Sequence, residues 1–283
     1  MIRWLMQPGV RAAVPISILL LLGFIGPLLM VTGYSFMPPR TFSLTGTPTL
    51  ANFISIISDS YYISFLWSVG LAAITVLILL VICYPVSYGM AKMFGPWANL
   101  VTMIIAVPLL VSQNIRSFGW VLFLLKNGIA DGSLQYLFGI HLPSILYKVP
   151  AIILGLVYVY LPFMLFPLVI GLSMVPNAVK EAAFDLGASR FQVFREIEVP
   201  LAMPGILIGS LLVFVLALGS LAESKILGGQ AVIMIADDIE SAFTFAQNWP
   251  KGAMLSLLLI SSSGCLIFFL FKRIDLDRII GRR

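Results

Sequence analysis

Charge is what this sequence has least of. Only 10% of its 283 residues are Asp, Glu, Lys or Arg, where a soluble domain carries about 25%. The complementary excess, 60% hydrophobic, is too large for one buried core. Cysteine is nearly absent. Cys83 and Cys265 each stand inside an apolar run with no CxxC or His-rich neighbourhood, so they read as small hydrophobes and not as metal or redox groups. The single histidine, His141, falls in a loop and reads as a surface residue. GxSxG, Walker A and HExxH are all missing, as is any cluster of metal-ligand type. These absences argue against an enzyme, a directly bound cofactor and a metal site. The net charge of +5 does not indicate nucleic acid, because no basic stripe with interleaved aromatics exists.

What the sequence has is long apolar runs. Six segments, at 13–36, 62–92, 98–123, 149–172, 201–222 and 252–272, each reach the roughly 20 residues that cross a bilayer. They predict an all-α polytopic membrane protein made of one transmembrane domain, 1–283. Pro27, Pro85, Pro108 and Pro162 lie inside these runs, where membrane helices tolerate proline because neighbours re-satisfy the freed carbonyls. Arg3 and Arg11 precede the first run, which continues to about Phe36 without a small-x-small cleavage pattern. That length reads as an uncleaved first span and not a secretory h-region.

An even number of spans puts both termini on one side. With the termini inside, Arg3, Arg11, Lys92, Lys180, Arg190, Arg195, Lys272, Arg273, Arg278, Arg282 and Arg283 are cytoplasmic. Arg40, Arg116, Lys126, Lys148, Lys225 and Lys251 are then external, so eleven of the 17 basic residues lie inside and six outside. The positive-inside rule selects this orientation. The segment 37–61, with Pro38, Pro39 and Pro48, then reads as an irregular external loop.

The cytoplasmic loop 173–200 carries the densest local signals. Asn177 suits a helix N-cap, and Gly187 suits the left-handed position that closes a helix. Ser189 with Gln192 forms a capping-box pattern for a second short helix, which Pro200 is expected to end. The first helix presents small Ala182 and Ala183 beside Phe184 and Leu186. An amphipathic membrane-surface helix is the rival reading. Against it, the helices are short, and Glu181, Asp185, Glu196 and Glu198 balance the basic residues, which weakens attraction to anionic lipid. A docking element for another protein fits better.

Glu181-Ala182-Ala183, Gly187 and, further on, Ile197 and Pro200 resemble the EAA loop of binding-protein-dependent ABC importer permeases. Pro108, Ile115-Arg116 and Trp120, the stretch Tyr158 to Pro167, Leu227-Gly228-Gly229 and Trp249 to Ala253 are similar, in the same order, to the spermidine/putrescine branch, which also includes opine and aminophosphonate importers. The resemblance covers nearly the whole chain and implies a type I ABC importer permease fold in a bacterial inner membrane. It implies an ATPase-coupling surface of Glu181, Ala182, Ala183, Phe184, Asp185, Gly187, Arg190 and Pro200. It also implies a cytoplasmic ATPase dimer that consumes the ATP, a paralogous second permease subunit and an extracytoplasmic solute-binding protein. The sequence departs from that branch at Asp237-Asp238-Ile239-Glu240, where relatives tend to carry Asn and apolar or basic residues. The branch's ligand preference therefore does not transfer at this point.

Charges at membrane depth mark candidate pathway positions. Arg116, beside Gln113 and Asn114, reads equally as a gate or anion anchor and as a structural ion pair or snorkelling side chain. Glu223 is either a cation contact or a partner of Lys225 or Arg116. Asp237, Asp238 and Glu240 concentrate negative charge that would attract cations, face a basic partner or simply be solvated. Trp249 completes the candidate pathway set with Gln113, Arg116, Glu223, Asp237 and Asp238. A secondary transporter driven by an ion gradient is the rival in class. It predicts ionisable residues at mid-span in several helices, whereas most charges here stand at span ends or in loops.

Overall fold

The structure, a computed structural model, describes the backbone of residues 8–140 and 143–273 and side chains of 14–140 and 143–269. His141 and several of the terminal basic residues therefore lie outside the described residues. Among the described residues all regular structure is helical. The chain divides into two compact units, one made of 1–62 and 238–261, the other of 63–237 and 262–283.

In the first unit lies α1 (Pro8–Ser35), which is apolar all round from Val14 to Met30 and has no buried residue between Val14 and Tyr34. A helix apolar all round suits lipid or another subunit. Its C-terminal end is closed from a distance. The buried Asn52 donates from Nδ2 to the carbonyls of Ser35 and Met37 at 3.0 and 2.7 Å, which satisfies acceptors that a helix end leaves open. Asn52 lies on α2 (Ala51–Ser58). The segment 37–61 is therefore not wholly irregular, because Thr49 and Leu50 stop the extended chain and an apolar turn starts beyond them.

The second unit contains most of the spanning material. It begins within α3 (Tyr61–Lys92), which continues across Pro85. The third apolar run is not the continuous helix expected over 98–123. α4 (Trp97–Ala106) tightens into a 3-10 turn at Val107–Leu110, and α5 (Gln113–Leu124) restarts after a 97° bend. Pro108 initiates the tight turn, Val111 is extended at φ −100° and ψ 136°, and the Ser112 side chain accepts from the Ile115 amide as the cap of α5. The polar Ser112-Gln113-Asn114 triplet thus caps and starts a helix. Among the described residues, five helices are long and apolar enough to cross a membrane, and six if this bent pair counts as one span.

α6 (Ile129–Phe138) leads to α7 (Val149–Ser173), the most buried span, which holds prolines at 162 and 167. α8 (Asn177–Asp185) and α9 (Arg190–Val193) form the loop that follows α7. α9 runs through a π-helical turn, Phe194–Glu198, straight into α10 (Val199–Leu218). α7 and α10 approach at glycines: a Cβ on Gly171 would lie 2.9 Å from the Gly205 Cα. Gly205 and Gly209 are four residues apart, the small-xxx-small spacing that lets membrane helices touch. Beyond α10 a second π turn, Glu223–Leu227, precedes α11 (Ile235–Thr244) and α12 (Trp249–Arg273). The fifth span therefore stops at Leu218 and not at 222.

Candidate functional site

In the loop between α7 and α10, α8 ends in a full left-handed closure. Gly187 has φ +83°, its amide donates to the Phe184 carbonyl at 2.9 Å, and the Ala188 amide reaches the Ala183 carbonyl at 3.0 Å. These are the two bonds of a Schellman motif, and glycine enters the left-handed region at the lowest steric cost. Two residues later the Ser189–Gln192 capping box is present in both directions, at 3.2 and 2.8 Å. The turn direction between the helices is thereby fixed by backbone chemistry.

Two sequence expectations need correction here. Asn177 is not the N-cap: Pro176, extended at φ −70° and ψ 134°, holds that position without a side-chain cap, and Asn177 is the first helical residue. Pro200 does not end the second helix. It occupies the first turn of α10, where a missing N–H is tolerated, and the π turn before it absorbs the mismatch.

The loop shows a contact surface outward. Glu181, Ala182, Phe184, Asp185, Gly187, Arg190 and Pro200 are exposed and Ala183 is half-buried. Leu186 is 90% exposed and Phe191 67%. Large apolar side chains this bare, rimmed by charge and flanked by small residues, suit contact with another protein or with a membrane surface. The inward side is held by residues that sequence reasoning passed over. Lys180 Nζ donates to Glu198 Oε1 at 2.9 Å and to the Tyr88 hydroxyl at 3.0 Å. Lys92 Nζ donates to the Val175 carbonyl. Leu172, Val175 and Ala202 pack beneath them with Tyr84, Tyr88 and Ile206. No sequence pattern pairs residues 180 and 198, so only their opposite charges could have suggested the link.

The candidate pathway residues separate into groups. Gln113 and Glu223, 110 residues apart, come together: Gln113 Nε2 donates to both carboxylate oxygens at 2.8 Å, and Ser220 Oγ also donates to Glu223. Glu223 has no exposed surface. These hydrogen bonds satisfy polar oxygens that burial alone would penalise. Arg116, less than one turn beyond Gln113, turns elsewhere. Its Cζ lies 6.0 Å from the Tyr158 ring centre, and its Nε and Nη1 are buried without a hydrogen-bond partner. Together with Gly119, Trp120, Phe123 and Tyr158 it lines an open cavity of about 330 Å³.

Asp237 accepts from Ser224 Oγ at 2.6 Å and from the Met234 amide at 2.9 Å, which anchors the start of α11 to the second π turn. Asp238 and Trp249 belong to the other unit. There Trp249 packs edge-on against Tyr34, Phe42 and Phe243 at 6.2, 5.5 and 6.4 Å. Among the described residues no cluster of His, Cys, Asp or Glu is suited to a metal ion.

Residues 85–280 match the family model described as binding-protein-dependent transport system inner membrane component. The chain belongs to that family. The family places it among the permeases of ABC importers and disfavours the ion-gradient alternative. The chain is 34% identical over 248 residues to the spermidine/putrescine transport system permease protein PotB of Escherichia coli K12, covering 87% of this chain and 90% of that protein. It is 33% identical over 249 residues to PotB of Haemophilus influenzae, covering 87% of each. Among solved structures, a bacterial ABC transporter involved in import of the acidic polysaccharide alginate matches with a TM-score of 0.72 at 15% identity, over 94% of this chain and 95% of that one. The structural likeness shows the permease fold and says nothing of cargo.

Proposed function

We propose that this permease imports a small polyamine-like organic solute, working as one transmembrane domain with both termini cytoplasmic. A solute-binding protein delivers the solute to the outer face, a second permease, by preference a paralogue, completes the path, and an ATPase dimer drives the cycle. The chain itself binds no cofactor and hydrolyses nothing. The observation that carries this reading is the α8 surface, where Ala182, Phe184 and the 90% exposed Leu186 are presented on a turn fixed by Gly187. The polyamine assignment rests on the identity to the spermidine/putrescine permeases. The cytoplasmic orientation of the loop rests on the Lys and Arg distribution.

In mechanism, closure of the ATPase dimer moves α8 and α9, and the continuous Arg190–Leu218 helix passes that movement into the membrane. ATP does this work only through its different affinity for the two states. Arg116, Gln113, Glu223, Asp237, Asp238 and Trp249 are the proposed pathway set. Within it, Arg116 and Tyr158 line the path and the Gln113–Glu223 pair shapes its wall.

The test is uptake of labelled spermidine and putrescine by proteoliposomes containing the two permeases and the ATPase, with the binding protein outside. Glu181→Lys is expected to abolish uptake and co-purification of the ATPase while membrane insertion persists. Uptake at the wild-type rate with Glu181→Lys would remove the coupling assignment. Failure of both amines to enter, with ATP hydrolysis still stimulated by the binding protein, would remove the substrate assignment alone.

A further inference from the structure

Lys180 immediately precedes Glu181 but turns the opposite way, into the protein. Its side chain is 13% exposed and that of Glu198 is 11% exposed, so this ion pair lies almost out of water. Tyr88 accepts a further hydrogen bond from Lys180, and its ring centre lies 5.0 Å from Nζ. One turn earlier on α3, Tyr84 meets the Phe194 ring edge-on at 5.4 Å. Burial alone would lower the Lys180 pKa, yet the hydrogen bonds with Tyr88 and Glu198 and the Glu198 charge leave it above the ordinary 10.5. The ammonium is therefore charged at physiological pH.

Glu198 closes the π turn that joins α9 to α10. A π turn between α-helical segments, followed by a proline that cannot donate, is the softest place in the 190–218 helix. Left alone, it would bend when α8 is displaced and absorb the stroke. A buried ion pair contributes little net stability over an apolar substitute, and its best-attested use is to fix one arrangement among several. Here the arrangement it fixes is α8 against the far end of that soft turn.

We propose that the Lys180–Glu198 pair, braced by Tyr88, is the latch that makes the coupling helix and the 199–218 span move as one body. Lys180 and Glu198 are positioning residues and touch neither nucleotide nor cargo. The inference rests on the reading of α8 as the ATPase contact, and it adds a link which that reading does not require.

The test uses the complete importer in lipid nanodiscs with its binding protein. Three quantities are followed for Lys180→Met, Glu198→Gln, Tyr88→Phe and the exchange Lys180→Glu/Glu198→Lys: ATPase co-purification, binding-protein-stimulated ATP hydrolysis, and the distance change between spin labels on α8 and α10 on adding ATP. Both single variants of the pair are expected to keep the ATPase bound while stimulation falls about fivefold or more, the low end of typical site-to-site coupling. The α8–α10 label distance, constant in the wild type through the ATP cycle, is expected to change in these variants. Tyr88→Phe is expected to fall between them and the wild type, and the exchange is expected to restore coupling.

Wild-type stimulation in both single variants overturns the proposal. Loss of ATPase binding in Lys180→Met also overturns it, because Lys180 would then belong to the docking face. If the single variants fail to fold, the exchange decides: restored folding without restored coupling is equally fatal. The coupling reading itself fails separately, through Glu181→Lys retaining the ATPase.

Discussion

Gly171 and Gly205 meet backbone to backbone: a Cβ added to either would fall 2.8–2.9 Å from the other's Cα. A Cβ on Gly205 would also strike the Pro167 carbonyl oxygen. This contact sets how closely α7 and α10 pass, and α10 is the helix that continues from the 173–200 loop. Gly205→Val is expected to force the helices apart, at a cost of about 3 kcal/mol or more, the upper range for overpacking a close-packed site. Gly205→Ala is expected to cost less. The melting temperature of the purified permease complex, followed by size exclusion after heating, checks both. The expected order is wild type, Ala, then Val.

Local signals were the most legible. Gly187, Ser189 and Gln192 act within a few residues of themselves, and the structure places each in the conformation that its chemistry predicts. The apolar runs were legible as spans because length and hydropathy suffice. Failures came where apolarity hid geometry. The run 98–123 shows no break in hydropathy strong enough to announce a 97° bend, although Pro108 followed by Ser112-Gln113-Asn114 carried the signal. Pro200 illustrates a second ambiguity, since proline stops a helix from within but is welcome in its first turn. The Gly205-x3-Gly209 spacing is a local signal of close helix packing. The pairs 113–223 and 180–198 follow no local pattern, since each joins residues far apart in the chain through tertiary packing.

Gly187 gives the second prediction. At φ +83° an L-residue other than glycine is strained, by about 1–2 kcal/mol for an ordinary side chain. Gly187→Ala should therefore weaken ATPase co-purification partially, and Gly187→Asn less so, because Asn tolerates the left-handed region. Gly187→Pro cannot take this φ and also loses the amide that donates to Phe184. Full loss of uptake is expected for proline, with membrane insertion unchanged. Uptake rates in the series Gly, Asn, Ala, Pro should fall in that order.

The Gln113–Glu223 pair can be tested by asking whether its members depend on each other. Glu223 is fully buried and takes three donated hydrogen bonds, two of them from Gln113. Gln113→Leu leaves the carboxylate short of donors, and Glu223→Leu leaves the Gln113 amide short of acceptors. Each is expected to destabilise by about 1–3 kcal/mol, the usual cost of an orphaned buried polar group. The double variant, with neither group present, is expected to lose less than the sum of the two. A double-mutant cycle on thermal stability measures that difference, and additive losses would mean the two residues act independently.

Arg116 is expected to show the opposite pattern, little effect on stability and a large effect on transport. Its Nε and Nη1 make no hydrogen bond within the chain, and its guanidinium faces a cavity of about 330 Å³ over the Tyr158 ring. Nothing in the fold is left unsatisfied when the side chain is removed, so Arg116→Ala should melt within about 0.5 kcal/mol of the wild type, as for changes away from structural features. Uptake in proteoliposomes should nevertheless fall by an order of magnitude or so, a barrier change of about 1.4 kcal/mol. Arg116→Lys keeps the charge but loses the planar group that stacks on Tyr158, so it is expected to recover only part of the rate. If Arg116→Ala instead lowers the melting temperature as strongly as Gln113→Leu, the residue is a structural support and not a lining group of the pathway.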